Sequence, residues 1–274
     1  MIGDDEHFDW QQPQLERLAA FGVSECVDVH CHILPGIDDG PADLSQALAL
    51  CLSLVDDGIT TVIATPHQLG RYDRENSAEV VAEKIDQLCS ALAAEQIPLR
   101  VLPGGDVRID ERLDKFLDQG EVISLGGCGG HLLIELPHEL FVDPIPAIKM
   151  LRDRSLQAIM THPERHSYLA DREDLLQDWV RRGAVIQLTA GSLLGDFGRR
   201  AHRQAWRIVE AGLASLVATD AHDAKRRPPR LSAALAMLSA EMGDDVARSL
   251  CIENPLRVLS ADQILPIPAM SADA

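Results

Sequence analysis

The sequence predicts an α/β protein whose parallel strands curve into a (β/α)7 barrel. Three observations carry that prediction. Seven short apolar runs alternate with longer helix-period segments, no glycine-rich phosphate loop follows the first run, and imidazoles or carboxylates stand at the ends of six of the seven runs. With 274 residues the chain is long enough for one such domain with a substantial core.

The runs are Cys26–Val29, Thr61–Ala64, Leu99–Leu102, Leu132–Leu136, Ala158–Thr161, Val185–Leu188 and Ser215–Ala218. Each is short and nearly continuous in hydrophobicity, as expected for a strand buried on both faces. The intervening segments carry helix signals. Asp43 followed by Gln46 predicts a capping box, with Leu44, Leu48, Leu52 and Val55 on one face before Gly58. Val81, Ile85, Leu88 and Leu92 predict a second helix. Leu175, Trp179 and Val180 predict another before Gly183, and Trp206 and Val209 one before Gly212. Leu231, Leu235 and Leu238 predict a final long helix. Residues 1–24 are expected to be an N-terminal extension, with a short helix over Pro13–Phe21, residues 25–260 the barrel and residues 261–274 a C-terminal tail.

Composition narrows the function. The formal net charge of −18 argues against a polynucleotide substrate, because such binding needs a basic stripe to neutralise phosphates. A small phosphorylated ligand stays open, since bound cations can reverse a local field. No apolar run reaches the roughly 20 residues that span a bilayer. The acidic N-terminus lacks the basic-then-apolar order of a signal peptide, so a cytoplasmic protein without membrane insertion is expected. The six cysteines show no CxxC pair and are read as reduced and mostly buried.

Among ten histidines, the positions at run ends stand out. His30 and His32 end the first run two residues apart, a spacing that sends both rings to one face of a strand. His67 ends the second run, Asp106 follows the third, Glu135 ends the fourth and His162 the fifth. Asp220 and His222 end the seventh, again two apart, and Asp38-Asp39-Gly40 offers a further carboxylate. In a parallel barrel these ends converge on one mouth. Imidazole and carboxylate without thiolate suit manganese, iron, zinc or magnesium rather than a structural zinc site. His7, His131, His138, His166 and His202 are read as ordinary histidines, with His166 set apart by its neighbour Arg165.

With DVHCHILPGIDDGP, ATPH, LLIELP, THPERH, ATDAH and RRPP in this order, the chain resembles the PHP (polymerase and histidinol phosphatase) superfamily. Within it the likeness is to the CpsB/CapC-type manganese-dependent tyrosine phosphatases of bacterial capsule and exopolysaccharide systems. It runs from about Asp28 to Asn254-Pro255. The resemblance implies a distorted TIM-like barrel holding up to three divalent ions. One ion would take His30, His32 and Asp220 with Asp106 as a bridge; a second would share Asp106 and take Glu135 and His162; a third would take Asp39, His67 and His222. Arg165 and Arg227 match the family's phosphate-binding arginines. The family usually has glutamate at the position of Asp106, so the shorter side chain is expected to need a backbone shift or a water to bridge two ions. The implied partner is a phosphotyrosine protein, a tyrosine kinase of capsule regulation, and the oligomeric state stays open.

The expected chemistry is in-line attack on a phosphomonoester by hydroxide generated at the ions, with Asp220, His222 or bulk water protonating the leaving group. Rival readings are weaker. Cys251 and Arg257 have the Cys-x5-Arg spacing of thiol phosphatases, yet the intervening Ile-Glu-Asn-Pro-Leu has no glycine and loses a donor at Pro255. An amidohydrolase usually bridges its metals with a strand lysine, and Lys84, Lys115, Lys149 and Lys225 all fall outside the runs. A histidinol-phosphate phosphatase shares the metal logic and is the main alternative. A PHP module that only binds a partner would have less need of the intact ligand set.

Overall fold

The computed structural model describes residues 25–267, so the predicted Pro13–Phe21 helix and His7 lie outside the described residues. The strands are β1 (Val27–Cys31), β2 (Thr61–Ala64), β3 (His67–Gln68), β4 (Arg100–Pro103), β5 (Asp106–Arg108), β6 (His131–Glu135), β7 (Gln157–Thr161), β8 (Val185–Thr189) and β9 (Leu216–Ala218). All pair in parallel, in the orders β1-β2-β4 and β3-β5-β6-β7-β8-β9.

Nine strands arise from seven runs because two runs break. Pro66 has no N–H to continue the ladder, so the second run stops at Ala64 and resumes as β3. The third breaks at Gly104-Gly105, where a Cβ on Gly105 would sit 2.1 Å from Gln68 Oε1. Each broken strand therefore contributes to both sheets, and the two sheets together trace a distorted ring that no continuous ladder closes. Its last seam is not a ladder. An isolated parallel bridge joins Cys31 to Ala221, with Asp220 N donating to His30 O at 2.8 Å and His32 N to Ala221 O at 2.9 Å.

The helices are α1 (Leu44–Asp56), α2 (Ala78–Ala94), α3 (Leu113–Asp118), α4 (Ile145–Asp153), α5 (Glu173–Arg181), α6 (Ala190–Leu194), α7 (Gly198–Glu210), α8 (Leu231–Met242), α9 (Asp244–Arg248) and α10 (Asn254–Leu259). Asp43 caps α1 by accepting from Gln46 N at 2.9 Å. The buried stripe of α1 is Ala47, Leu50, Cys51 and Leu54, while Leu52 is exposed; the expected Leu44–Leu48–Leu52–Val55 face is turned aside. The predicted stripe of α2 is buried as expected. α8 is not final: a π-helical turn at Ser249–Glu253 lies between α9 and α10.

Two apolar layers result. One fills the inside of the ring with Val27, Val29, Ile63, Leu133, Ile159, Val185 and Leu216. The larger packs the outward strand faces against the helices. Val258 and Ile264 plug the end of the ring opposite the strand C-termini, so the expected tail is packed as far as Ile267. Asn254 holds it there, donating to Ser215 O and Leu265 O at 2.8 Å each.

Candidate metal centre

Val27 and Val29 point into the ring, and strict alternation would then turn His30 and His32 outward. A β-bulge prevents this. Three residue steps from Asp28 to Cys31 oppose two from Val62 to Ala64, and the extra residue sends both imidazoles to the inner face. The other inward positions at the strand ends are His67, Asp106, Glu135 and Asp220. His162 and Asp220 occupy left-handed backbone at φ 34° and 50°. Such conformations cost about 1–3 kcal/mol each and persist where surrounding structure enforces them.

All nine predicted ligands converge. Their ligand atoms fall into four overlapping groups, each within 4.8 Å: His32, Asp39, His67 and His222; His30, His32 and Asp220; His30, Asp106 and His162; His67, Asp106 and Glu135. The grouping differs in detail from the expected partition. His32 joins the Asp39 set, and His67 rather than His162 is grouped with Glu135. Asp106 belongs to two groups, so the shorter carboxylate reaches both sides of the centre.

The hydrogen bonds fix the tautomers. Gln187 Nε2 donates to Leu188 O at 2.7 Å, which leaves Gln187 Oε1 to accept from His30 Nδ1 at 3.0 Å. Asp38 Oδ2 likewise accepts from His32 Nδ1 at 2.7 Å. Both Nε2 atoms are then lone pairs, yet they face each other at 3.3 Å, with Asp220 Oδ1 at 3.4 and 3.5 Å. Three acceptors converging without a proton between them fit a cation. Both oxygens of Asp106 are also buried without a hydrogen-bond partner among the described residues, a costly state unless a cation is their partner. The donor set therefore fits divalent ions, with Asp38 and Gln187 as the supporting layer.

The electrostatics agree. Burial and the neighbouring His222 and His67 push His32 down to about 3, leaving it neutral and able to ligate. Burial opposes a charge on His67, but the facing carboxylates of Asp106 and Asp39, at 3.2 and 3.4 Å, outweigh it and raise the ring to about 11. The carboxylates thus demand positive charge at this spot. Burial and Asp106 raise Glu135 to about 7. Burial also opposes ionisation of Asp220, yet Arg227, His30 and Arg165 hold it well below the usual carboxylate range.

Arg165 and Arg227 are not solvated surface residues. Arg165 Nη1 is hydrogen-bonded to Asp220 Oδ2, and Arg227 Nη2 donates to the same oxygen at 2.6 Å. Their guanidinium carbons lie 4.4 and 5.7 Å from the centroid of the Phe197 ring. Both line a cleft of about 280 Å³ together with Asp39, His67, Glu135, His162, Asp220 and His222.

Several participants escaped the sequence reading. Gln187 carries no recognisable motif, and Asp38 was passed over in favour of its neighbour Asp39. Gly40 closes that turn: a Cβ there would lie 2.3 Å from His32 O. Arg108 Nε donates to Glu135 Oε2 at 3.1 Å. His138 and His166, read as ordinary, pack their rings against His162 at 5.8 and 5.7 Å, and His138 lines the cleft. The thiol alternative has no geometric support. Cys251 is wholly buried in the outer core, and burial pushes its pKa well above the ordinary thiol value. Lys84, Lys115 and Lys149 lie on helices and Lys225 in a loop, so no strand lysine serves a bridge.

No described helix is long and apolar enough to cross a membrane. YwqE of Bacillus subtilis (strain 168), named a tyrosine-protein phosphatase, is 38% identical over 226 residues, covering 80% of this chain and 86% of that protein. The tyrosine-protein phosphatase CpsB of Streptococcus agalactiae is 23% identical over 239 residues, 85% of this chain and 98% of the relative. A solved chain from crystallographic work on YwqE and on CpsB of Streptococcus pneumoniae, described as unique metal-dependent tyrosine phosphatases, matches with a TM-score of 0.84 at 34% identity, over 90% of this chain and 100% of the other. The family described as capsular polysaccharide synthesis, CpsB/CapC, matches residues 26–260. The chain belongs to the CpsB/CapC family.

Proposed function

We propose that this chain is a metal-dependent protein-tyrosine phosphatase. It removes phosphate from tyrosine on a partner protein, a cytoplasmic tyrosine kinase that regulates capsule or exopolysaccharide synthesis. The supporting observation is the convergence of two imidazole lone pairs and the Asp220 carboxylate beside two arginines in one cleft. His30, His32, Asp39, His67, Asp106, Glu135, His162, Asp220 and His222 would hold up to three divalent ions, manganese first among the candidates. Such ions acidify water at neutral pH and neutralise phosphoryl oxygens.

The chain's own residues supply the rest. Asp220 divides its oxygens, Oδ1 toward His30 and His32, Oδ2 toward Arg165 and Arg227. This fixes the guanidinium groups at the mouth, where their planar donors match phosphoryl oxygens. Phe197 backs both and limits their freedom. Neither Asp220 nor His222 is a good proton source. Asp220 is held ionised by its arginines, and the Nδ1 proton of His222 is committed to Asp220 O at 3.0 Å. The phenolate of a phenol with a pKa of about 10 leaves with modest help, so water can supply that proton.

The test is to purify the chain with Mn²⁺, count bound ions, and compare a phosphotyrosine peptide with a phosphoserine peptide and histidinol phosphate. Loss of turnover in His32→Ala and Asp220→Ala with the fold retained is expected, as is reversible loss with EDTA. Full activity in a metal-free preparation would refute the reading.

A further inference from the structure

We propose that Tyr72, with Leu69 beside it, forms the subsite that receives the aromatic ring of the leaving group. The inference rests on the phosphatase reading and adds the residues that recognise the phenyl ester.

The cleft wall is almost entirely ionisable. All of its lining residues are Asp, Glu, His or Arg except two, Leu69 and Tyr72, which share one turn. Among the described lining residues, these two alone offer a phenyl ring an aliphatic side chain or a benzene-type face. That turn is also held firmly. Leu69 and Gly70 are both left-handed, at φ 64° and 56°. Tyr72 N donates to Leu69 O at 3.0 Å, and Asp73, the next residue, accepts from Arg112 Nη1 at 3.2 Å. A leucine in left-handed backbone beside a catalytic cleft is strain retained by its surroundings.

The ring is also at the right place. Tyr72 lies parallel to the His67 imidazole, with centroids 5.6 Å apart and planes 10° apart. His67 reaches into the centre, 3.2 Å from Asp106 Oδ2. Tyr72 is therefore one side chain away from the position of the phosphate. Arg165 and Arg227, backed by Phe197, hold the phosphoryl end, while Tyr72 and Leu69 take the ring end. An aliphatic phosphate has no ring to place against them.

A Tyr72 that only covers His67 would behave differently, and the test separates the two roles. Binding of phenylphosphonate and of inorganic phosphate to the Mn²⁺-loaded full chain is measured by calorimetry, with ion content determined for each variant. Tyr72→Ala is expected to weaken phenylphosphonate about tenfold, while phosphate affinity stays within about twofold and ion content is unchanged. Tyr72→Phe should bind both probes like the parent chain. Equal weakening of both probes, loss of ions, or no change in phenylphosphonate affinity would each overturn the proposal. Wild-type turnover of a phosphotyrosine peptide is read in parallel. Its absence with the binding pattern intact would sink the phosphatase reading and leave the aryl subsite standing.

Discussion

Asp38 and Asp39 are neighbours in sequence with different surroundings. The Asp38 carboxylate is buried and accepts from His32 Nδ1, from Gly40 N at 2.9 Å and from His67 N at 3.2 Å. Asp39 is half exposed and meets the Nε2 atoms of His67 and His222 at 3.4 and 3.3 Å. Asp38 therefore orients ligands that Asp39 joins. Asp38→Asn is expected to lower metal affinity about 10- to 100-fold, the usual cost of losing a supporting hydrogen bond, with circular dichroism unchanged. Unaltered affinity in a metal titration would show that His32 needs no such partner. The arginines call for the opposite separation. Arg165→Ala and Arg227→Ala should each keep the ion content and lose about 30- to 1000-fold in kcat/KM, or roughly 2–4 kcal/mol of transition-state stabilisation. Two variants with near-parent kinetics would mean that the phosphate is held by the ions alone. Asp106→Glu restores the carboxylate length usual in the family and should bind at least as many ions by elemental analysis. Lost ions would mean that this packed site has settled around aspartate.

At the scale of elements, Asp57 ties the first helix to the eighth. It follows α1 directly, and its carboxylate accepts from Leu231 N at 2.7 Å, Ser232 N at 3.3 Å and Ser232 Oγ at 2.6 Å. The buried first amides of α8 are thus capped from 174 residues away. Asp57→Ala should cost about 1–3 kcal/mol in urea unfolding, since it removes a cap and leaves buried donors unmet. Activity per folded molecule should hold, and an unchanged midpoint would deny Asp57 that role. No local pattern announces such a partner, which shows where sequence reading stops. Strand existence, order and end-point chemistry were legible because burial and parallel pairing write continuous apolar runs. The breaks at Pro66 and Gly105 were not, because they depend on what packs opposite. The bulge at His30 was also invisible: alternation within His30-Cys31-His32 is the same with or without the extra residue. The α1 stripe was misplaced because leucines were counted while Ala47 and Cys51 complete its buried face. Gln187, Arg108 and His138 were missed for a related reason: their roles arise only from what the ring brings beside them.

Across the whole molecule, the centre joins most of the ring, since its candidate ligands come from β1, β3, β5 and β6 and from the loops that follow β1, β7 and β9. The unfolded chain scatters these groups, so ions that bind the centre bind the folded state almost exclusively and stabilise it by linkage. A site filled at a hundred times its dissociation constant contributes about 2.7 kcal/mol. For a domain of this size each kcal/mol moves Tm by about 2–4 °C. Removing the ions with EDTA should therefore lower Tm by on the order of 5–10 °C per ion lost, and adding Mn²⁺ back should restore it. The variants sharpen the reading. Cys251→Ser lies outside the centre and should keep the full Mn²⁺-dependent rise in Tm, even if its own baseline falls from a hydroxyl placed in the core. His32→Ala sits in two of the four donor groups and should lose much of that rise. Scanning calorimetry of the three proteins with and without Mn²⁺ measures both effects. If Mn²⁺ leaves the parent Tm unmoved, the facing lone pairs of His30 and His32 are not a metal site, and both the ligand assignment and the chemistry built on it fall together.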